Sequence, residues 1–197
     1  MTAVAAVTPD RAVLVAPGAS ATRDHPSLVA VERALQPDGV PVERIDLPSR
    51  KATAVVVGMV RDAAAALAGR TGLAPDRLVL GGRSFGGRMC SMAVADGLPA
   101  LGLVLVSYPL HPPGQPERAR TEHLPRLAVP CLFVSGTRDS FGTPAELEAA
   151  TATIPGPVTH LWVEGGDHGL RGRDRQVAAA VRDWVLGLPV EAAGPPG

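Results

Sequence analysis

Three residues of this chain carry the chemistry of acyl transfer if the fold brings them together: Ser84, Asp139 and His168. Ser84 lies in Gly82-Arg83-Ser84-Phe85-Gly86, a Gly-x-Ser-x-Gly spacing that directly follows the apolar run Leu78–Leu80. A serine at such a strand-to-helix turn takes a strained backbone conformation that lifts its hydroxyl above the sheet. The flanking glycines let strand and helix approach where a Cβ would clash. A serine hydroxyl is a weak nucleophile until a base takes its proton. His168, in "GGDHGL", is the candidate base. Asp139, in "SGTRDSFGTP", is the candidate acceptor on the other imidazole nitrogen, where it fixes the tautomer and stabilises the imidazolium. The candidate oxyanion donors are the backbone N–H of Phe85, at the start of the next helix, and that of Ala19, in "APGAS". Donors of this kind are worth about 2.7–4 kcal/mol each.

Each motif alone has a plainer reading. In a chain with 22 glycines, Gly-x-Ser-x-Gly also describes a tight packing turn, and "GTRDSFG" describes a turn with an Asx hydrogen bond. The weight lies in conjunction, because all three residues follow strand-like runs. Asp167 adjoins His168 and reads as a loop-bracing carboxylate, with Glu164 a second fallback, and Asp96 and Asp183 read as solvated helix positions. Arg83 and Arg138, each beside one of the three residues, read either as binders of an acidic substrate or as surface ion pairs, the commoner case.

The elements that must position these groups alternate along the chain. "AVLVAPG", "RLVLGG", "LGLVLVSYP", "PCLFVSG" and "VTHLWVEGG" are apolar runs ended by glycine or proline, as buried strands are, and "VPVERIDLP" alternates in part. Between them lie helical patterns: "HPSLVAVERALQPDG" with Pro26 in its first turn, "AVVVGMVRDAAAALAGRTG", "FGGRMCSMAVADG", "TPAELEAATA" with Thr143 as N-cap, and "RDRQVAAAVRDWVLGL" with Val177, Val181, Trp184 and Val185 on one side. Solidly apolar strands alternating with helices predict an α/β fold, a mostly parallel sheet of about six to seven strands covered on both faces. Ligands gather at the carboxyl ends of such strands, where Ser84, Asp139 and His168 fall. The one long irregular stretch, Tyr108 to Pro130, is rich in proline and histidine, and Tyr108, His111 and Phe141 are candidate pocket residues.

Composition limits the alternatives. At 197 residues the chain reads as one domain, 1–197, with a frayed tail from about 190. A formal net charge of zero argues against nucleic acid or an anionic membrane surface as partner. No run is long enough to span a bilayer, and "MTAVAAVTPD" lacks the basic start of a signal peptide, so the expected location is cytoplasmic. Cys90 and Cys131 fall in apolar elements and read as buried free thiols. The five histidines are scattered and no cysteine pair has metal-ligand spacing, so neither a metal nor a cofactor is expected. The glycine pairs match neither phosphate-binding nor dinucleotide-binding loops.

On "GGRSFGGRM", "YPLHPPG" followed by "RTEHL", "FVSGTRDSFGTPAEL" and "GGDHGL", the chain from Ala12 to Leu188 resembles the α/β-hydrolases. More narrowly, it is similar to a small capless group that includes the testis-expressed protein 30 family and bacterial dienelactone-hydrolase-like proteins. The resemblance implies an α/β-hydrolase fold with no cap domain. It also implies a Ser84–Asp139–His168 triad acting on a small-molecule carboxylic ester or thioester. Relatives usually carry His-Gly where this chain has Pro17-Gly18. Classical dienelactone hydrolases use cysteine where Ser84 stands, so that specific activity is not implied. Some relatives act in protein complexes without known hydrolysis, which makes a non-catalytic binding or scaffold role the rival reading.

Overall fold

The computed structural model, which describes residues 9–190, has six strands and five helices, alternating except between the fourth and fifth strands. The strands are β1 (Ala12–Ala16), β2 (Val42–Arg44), β3 (Leu78–Arg83), β4 (Gly102–Val106), β5 (Cys131–Gly136) and β6 (Val158–Val163). The helices are α1 (Pro26–Leu35), α2 (Thr53–Thr71), α3 (Phe85–Ala95), α4 (Pro144–Thr151) and α5 (Asp174–Gly187). The terminal segments read as lacking a signal peptide and as a frayed tail fall largely outside the described residues.

The sheet order is β2-β1-β3-β4-β5-β6, and every neighbouring pair is parallel. The chain goes outward from β1 to β2, then returns past β1 to β3. The reversal leaves a crevice at the carboxyl ends of β1 and β3, the usual ligand position in an open parallel sheet. β2, at one edge of the sheet, is only three residues long, shorter than its sequence pattern.

Side chains alternate between two apolar layers. Ala12, Leu14, Leu80, Leu103, Leu105 and Phe133 face one core, closed by α2, α3 and α4 through Val56, Val60, Met89, Ala93 and Leu147. Val13, Val15, Val79, Val104, Leu132 and Val134 face the other, closed by α1 and α5 through Leu28, Val31, Leu35, Val177, Val181 and Val185. The helices carry the end signals their sequences announce. Pro26 opens α1, and Thr143 and Glu146 form a reciprocal capping box on α4. Gly72, with φ 70°, ends α2 in the left-handed conformation. Buried Arg11 donates to the carbonyls of Val185, Leu186 and Leu188 at the α5 terminus, where a cation and donor are favoured.

The Tyr108–Pro130 stretch forms two single turns, Pro116–Arg118 and Leu124–Arg126, and no cap domain. It folds inward, burying Tyr108, Leu110, His111, His123, Leu124 and Leu127. No helix among the described residues is long and apolar enough to cross a membrane.

Candidate active site

The turn after β3 holds Ser84 at φ 49° and ψ −116°, a conformation L-residues seldom adopt. The glycines around it answer to β1. A Cβ on Gly82 would sit 2.0 Å from the Ala16 carbonyl oxygen, and one on Gly86 would sit 2.4 Å from the same atom. Close approach of β3 and α3 to the β1 backbone is therefore what turns Ser84 upward. The Ser84 N–H donates to Val106 O at 2.8 Å, which pins the turn to β4.

Asp139 and His168 arrive from the ends of β5 and β6. Asp139 is 4% exposed, and its Oδ1 accepts the Phe141 N–H at 2.8 Å. His168 Nδ1 lies 2.9 Å and 3.0 Å from the two Asp139 oxygens, and its Nε2 lies 2.9 Å from Ser84 Oγ. An ionised carboxylate only accepts, so the proton belongs on Nδ1, and Nε2 of the neutral ring is then free to accept from the serine hydroxyl. Phe141 stacks on the imidazole, with ring centroids 4.0 Å apart. Asp167 is used locally, its Oδ1 accepting the Leu170 N–H at 3.0 Å, and exposed Glu164 accepts from Thr137 Oγ1 at 3.4 Å.

Arg83 is neither a surface ion pair nor a wall of the cleft. Its Nη2 donates to the His168 carbonyl at 2.8 Å and so ties the serine turn to the histidine loop. Burial lowers the pKa of this guanidinium, and the fields of Asp139, Asp174 and Asp167 oppose that shift. Arg138 is exposed, and its N–H donates to Gly166 O at 2.8 Å.

Hydroxyl–histidine pairs also occur elsewhere: Ser27 with His25 at 2.8 Å, Ser91 with His123 at 2.8 Å, and Thr151 with His160 at 2.9 Å. Among the described residues, none of these three histidines has a carboxylate within ion-pair distance, whereas His168 has Asp139. Ser91 is also fully buried. Burial pulls His123 down to about 4, aided by the positive charges of Arg88 and Arg126, so it stays neutral near pH 7.

Ser84 opens into a cleft of about 400 Å³, lined in part by Phe85, Ala19 and Phe141. Phe85 is the first residue of α3, so its N–H has no acceptor within the helix. The other two expected pocket residues lie elsewhere. Tyr108 is buried, with its hydroxyl donating to Arg120 O at 2.7 Å, because a buried phenol needs an acceptor and the inward loop supplies one. His111 is buried with Nδ1 at 2.8 Å from Pro112 O, and its Nε2 faces Glu146 at 3.5 Å. Sequence reasoning missed Lys51, Arg88 and Arg120 on the cleft wall. Arg88 had a signal, since it stands one helical turn beyond Ser84. Lys51 and Arg120 come from distant loops and had none. A larger groove of about 1080 Å³ runs between α1 and α5 and contains none of Ser84, Asp139 and His168.

Comparison with known proteins agrees with this architecture. Over 65 residues the chain is 35% identical to the pimeloyl-(acyl-carrier protein) methyl ester esterase of Stenotrophomonas maltophilia, a match spanning 33% of this chain and 25% of that protein. The chain thus spans about a quarter of the length of the curated relatives it matches. Among solved structures, Est1E from Butyrivibrio proteoclasticus superposes with a TM-score of 0.74 at 16% identity, covering 90% of this chain and 88% of that one. Dienelactone hydrolase from Anabaena variabilis superposes with a TM-score of 0.72 at 20% identity, covering 90% and 86%. At these identities the likeness is one of fold. A family model described as an alpha/beta hydrolase domain matches residues 9–184, a span that holds all six strands together with Ser84, Asp139 and His168, and the chain belongs to that family.

Proposed function

We propose that the protein is a serine hydrolase of small carboxylic esters or thioesters, acting through an acyl-enzyme on Ser84. The observation that carries this reading is the continuous hydrogen-bonded line from Ser84 Oγ through His168 to Asp139, at 2.9 Å on each side of the ring. The Ser84 backbone, at φ 49° and with its hydroxyl aimed at His168, supports it, since strained non-glycine backbone clusters at active sites. The partial likeness to an enzyme named for methyl ester cleavage supports it as well.

In this mechanism Ser84 Oγ attacks the ester carbonyl carbon while its proton passes to His168 Nε2. The C–O electron pair moves onto the carbonyl oxygen, where the Phe85 and Ala19 N–H groups receive the developing charge. Collapse breaks the bond to the leaving group, which takes the proton from His168 and departs as alcohol or thiol. Water then attacks the acyl-Ser84 carbonyl and gives a proton to His168. The second collapse releases the acid and returns the proton to Ser84. Asp139 stays ionised throughout and orients the ring. The residues described here supply each proton transfer in this scheme. With no cap over the cleft, small or exposed acyl groups are the favoured substrates.

A fluorophosphonate probe tests the reading. The wild-type protein takes the label and Ser84→Ala does not, and a panel of 4-nitrophenyl esters is cleaved with the same dependence. A folded wild-type protein that neither takes the label nor cleaves any activated ester would falsify it.

A further inference from the structure

The cleft that Ser84 shares with Phe85 and Phe141 is also lined by Lys51, Arg88 and Arg120. These three cations come from three separate parts of the chain: the turn before α2, the second turn of α3, and the loop after β4. Among the described residues, none of them has a carboxylate within 4.0 Å, although eight of the ten ion pairs among those residues join an arginine to Asp or Glu. Arg120 Nη1 donates to Pro109 O at 3.1 Å, and Arg88 Nε is buried with no hydrogen-bond partner. Burial lowers the pKa of the Arg120 guanidinium, and the positive charge of nearby Arg88 pushes it the same way. Like charges gathered in a half-buried cleft cost free energy unless a ligand offsets them. Lys51 is the one lysine of a chain whose net charge is zero, so the local excess does not reflect a basic protein as a whole.

We propose that the hydrolase substrate carries an oxyanion, a carboxylate or a phosphate, away from the scissile ester, and that Arg88, Arg120 and Lys51 bind it. This rests on the serine-hydrolase reading for the position of the ester and on cations that have no carboxylate partner for the anion. Two guanidinium groups suit a planar carboxylate or a phosphate through paired hydrogen bonds, and the ammonium adds a point charge at the open side. Arg83 and Arg138, the arginines that stand beside Ser84 and Asp139 in sequence, are not part of this wall.

The test compares matched 4-nitrophenyl esters of six-carbon chains ending in a carboxylate, a phosphate monoester or a neutral methyl ester. The expected result is an anionic-to-neutral ratio of kcat/KM of about tenfold or more, falling with added salt. Arg88→Gln and Arg120→Gln each bring the ratio toward one. Lys51→Gln, at an exposed site that does not threaten the fold, lowers it by a smaller factor. The carboxylate and phosphate arms identify which anion is preferred. Efficient cleavage of the neutral ester with a ratio of one, unmoved by the three substitutions, overturns the anion site and leaves the hydrolase reading standing. In parallel, calorimetry on the Ser84→Ala protein measures adipate against its dimethyl ester. Adipate binding that weakens in Ser84→Ala/Arg120→Gln supports the anion site even if no ester is cleaved. Absence of adipate binding together with a ratio of one overturns it.

Discussion

Replacing Gly86 by alanine tests whether close packing against β1 is what presents Ser84. The new Cβ would lie 2.4 Å from the Ala16 carbonyl oxygen and 2.6 Å from that of Pro17, whereas ordinary contact begins at 3.4 Å. Both obstacles are backbone atoms at the end of a central strand and cannot rotate aside. The start of α3 must therefore retreat by about 1 Å, and an overpacked site of this kind costs about 1–3 kcal/mol. In a chain of this size each kcal/mol lowers Tm by about 2–4 °C. Ser84 moves with the helix. Its 2.9 Å approach to His168 then lengthens beyond hydrogen-bond range, and a displacement of that size costs about a hundredfold in rate. Gly69→Ala is the control, because Gly69 lies on the exposed side of α2 with nothing within 4 Å of a new Cβ. It stabilises the protein by about 0.5–1 kcal/mol and leaves activity alone. Urea denaturation gives the stabilities, and second-order rates of fluorophosphonate labelling report on Ser84. A Gly86→Ala protein as stable and as reactive as wild type refutes the packing account of the turn.

Three further outcomes follow from the geometry. Asp139→Asn lowers turnover by about 10³–10⁴-fold with little change in Tm, while Asp167→Asn is mild; the reverse pattern in steady-state kinetics reassigns the acid. His123, lowered in the fold from 6.5 to about 4, makes stability depend on pH. Between those values the unfolded chain binds a proton that the folded chain does not, so stability is intact above about pH 6.5 and declines toward pH 4, by at most about 3 kcal/mol. Half-buried His25 and His160 are lowered in the same direction, by burial first. Urea midpoints at pH 7 and pH 5 should diverge less in His123→Gln than in wild type, and equal divergence rejects the burial account. Burial also pushes both Cys90 and Cys131 up to about 12, so a thiol reagent at pH 8 finds no reactive thiol until denaturant releases two. A thiol that titrates in the native protein contradicts that burial.

The central strands and the Ser84, Asp139 and His168 positions were legible because each rests on a local signal. An apolar run ended by glycine marks a buried parallel strand, and the residue after it falls on the rim by topology alone. Thr143 was legible as a cap for the same reason, since it directly precedes Pro144 at the start of a helical pattern. What could not be read depends on where separate loops meet. Tyr108 and His111 looked like pocket residues because they follow β4. The inward course of the loop buries them instead, with the Tyr108 hydroxyl on Arg120 O and His111 Nδ1 on Pro112 O. The arginines next to Ser84 and Asp139 drew attention by adjacency, yet in a turn successive side chains diverge, and Arg83 spends its donor on the His168 carbonyl. Arg120 and Lys51 join Arg88 only once the sheet has placed their loops over one crevice.

The line from Ser84 to His168 joins positions 84 residues apart, with β4, β5 and β6 between them. During synthesis the serine turn leaves the ribosome with β3, but its base is not made until the sixth strand follows. Parallel strands joined by long crossovers pair late and slowly. A nascent or truncated chain therefore carries Ser84 as an ordinary, inert alcohol. Reactivity toward an electrophile appears only when the final strand docks, which makes labelling of Ser84 a clock for the completion of folding as well as a test of chemistry.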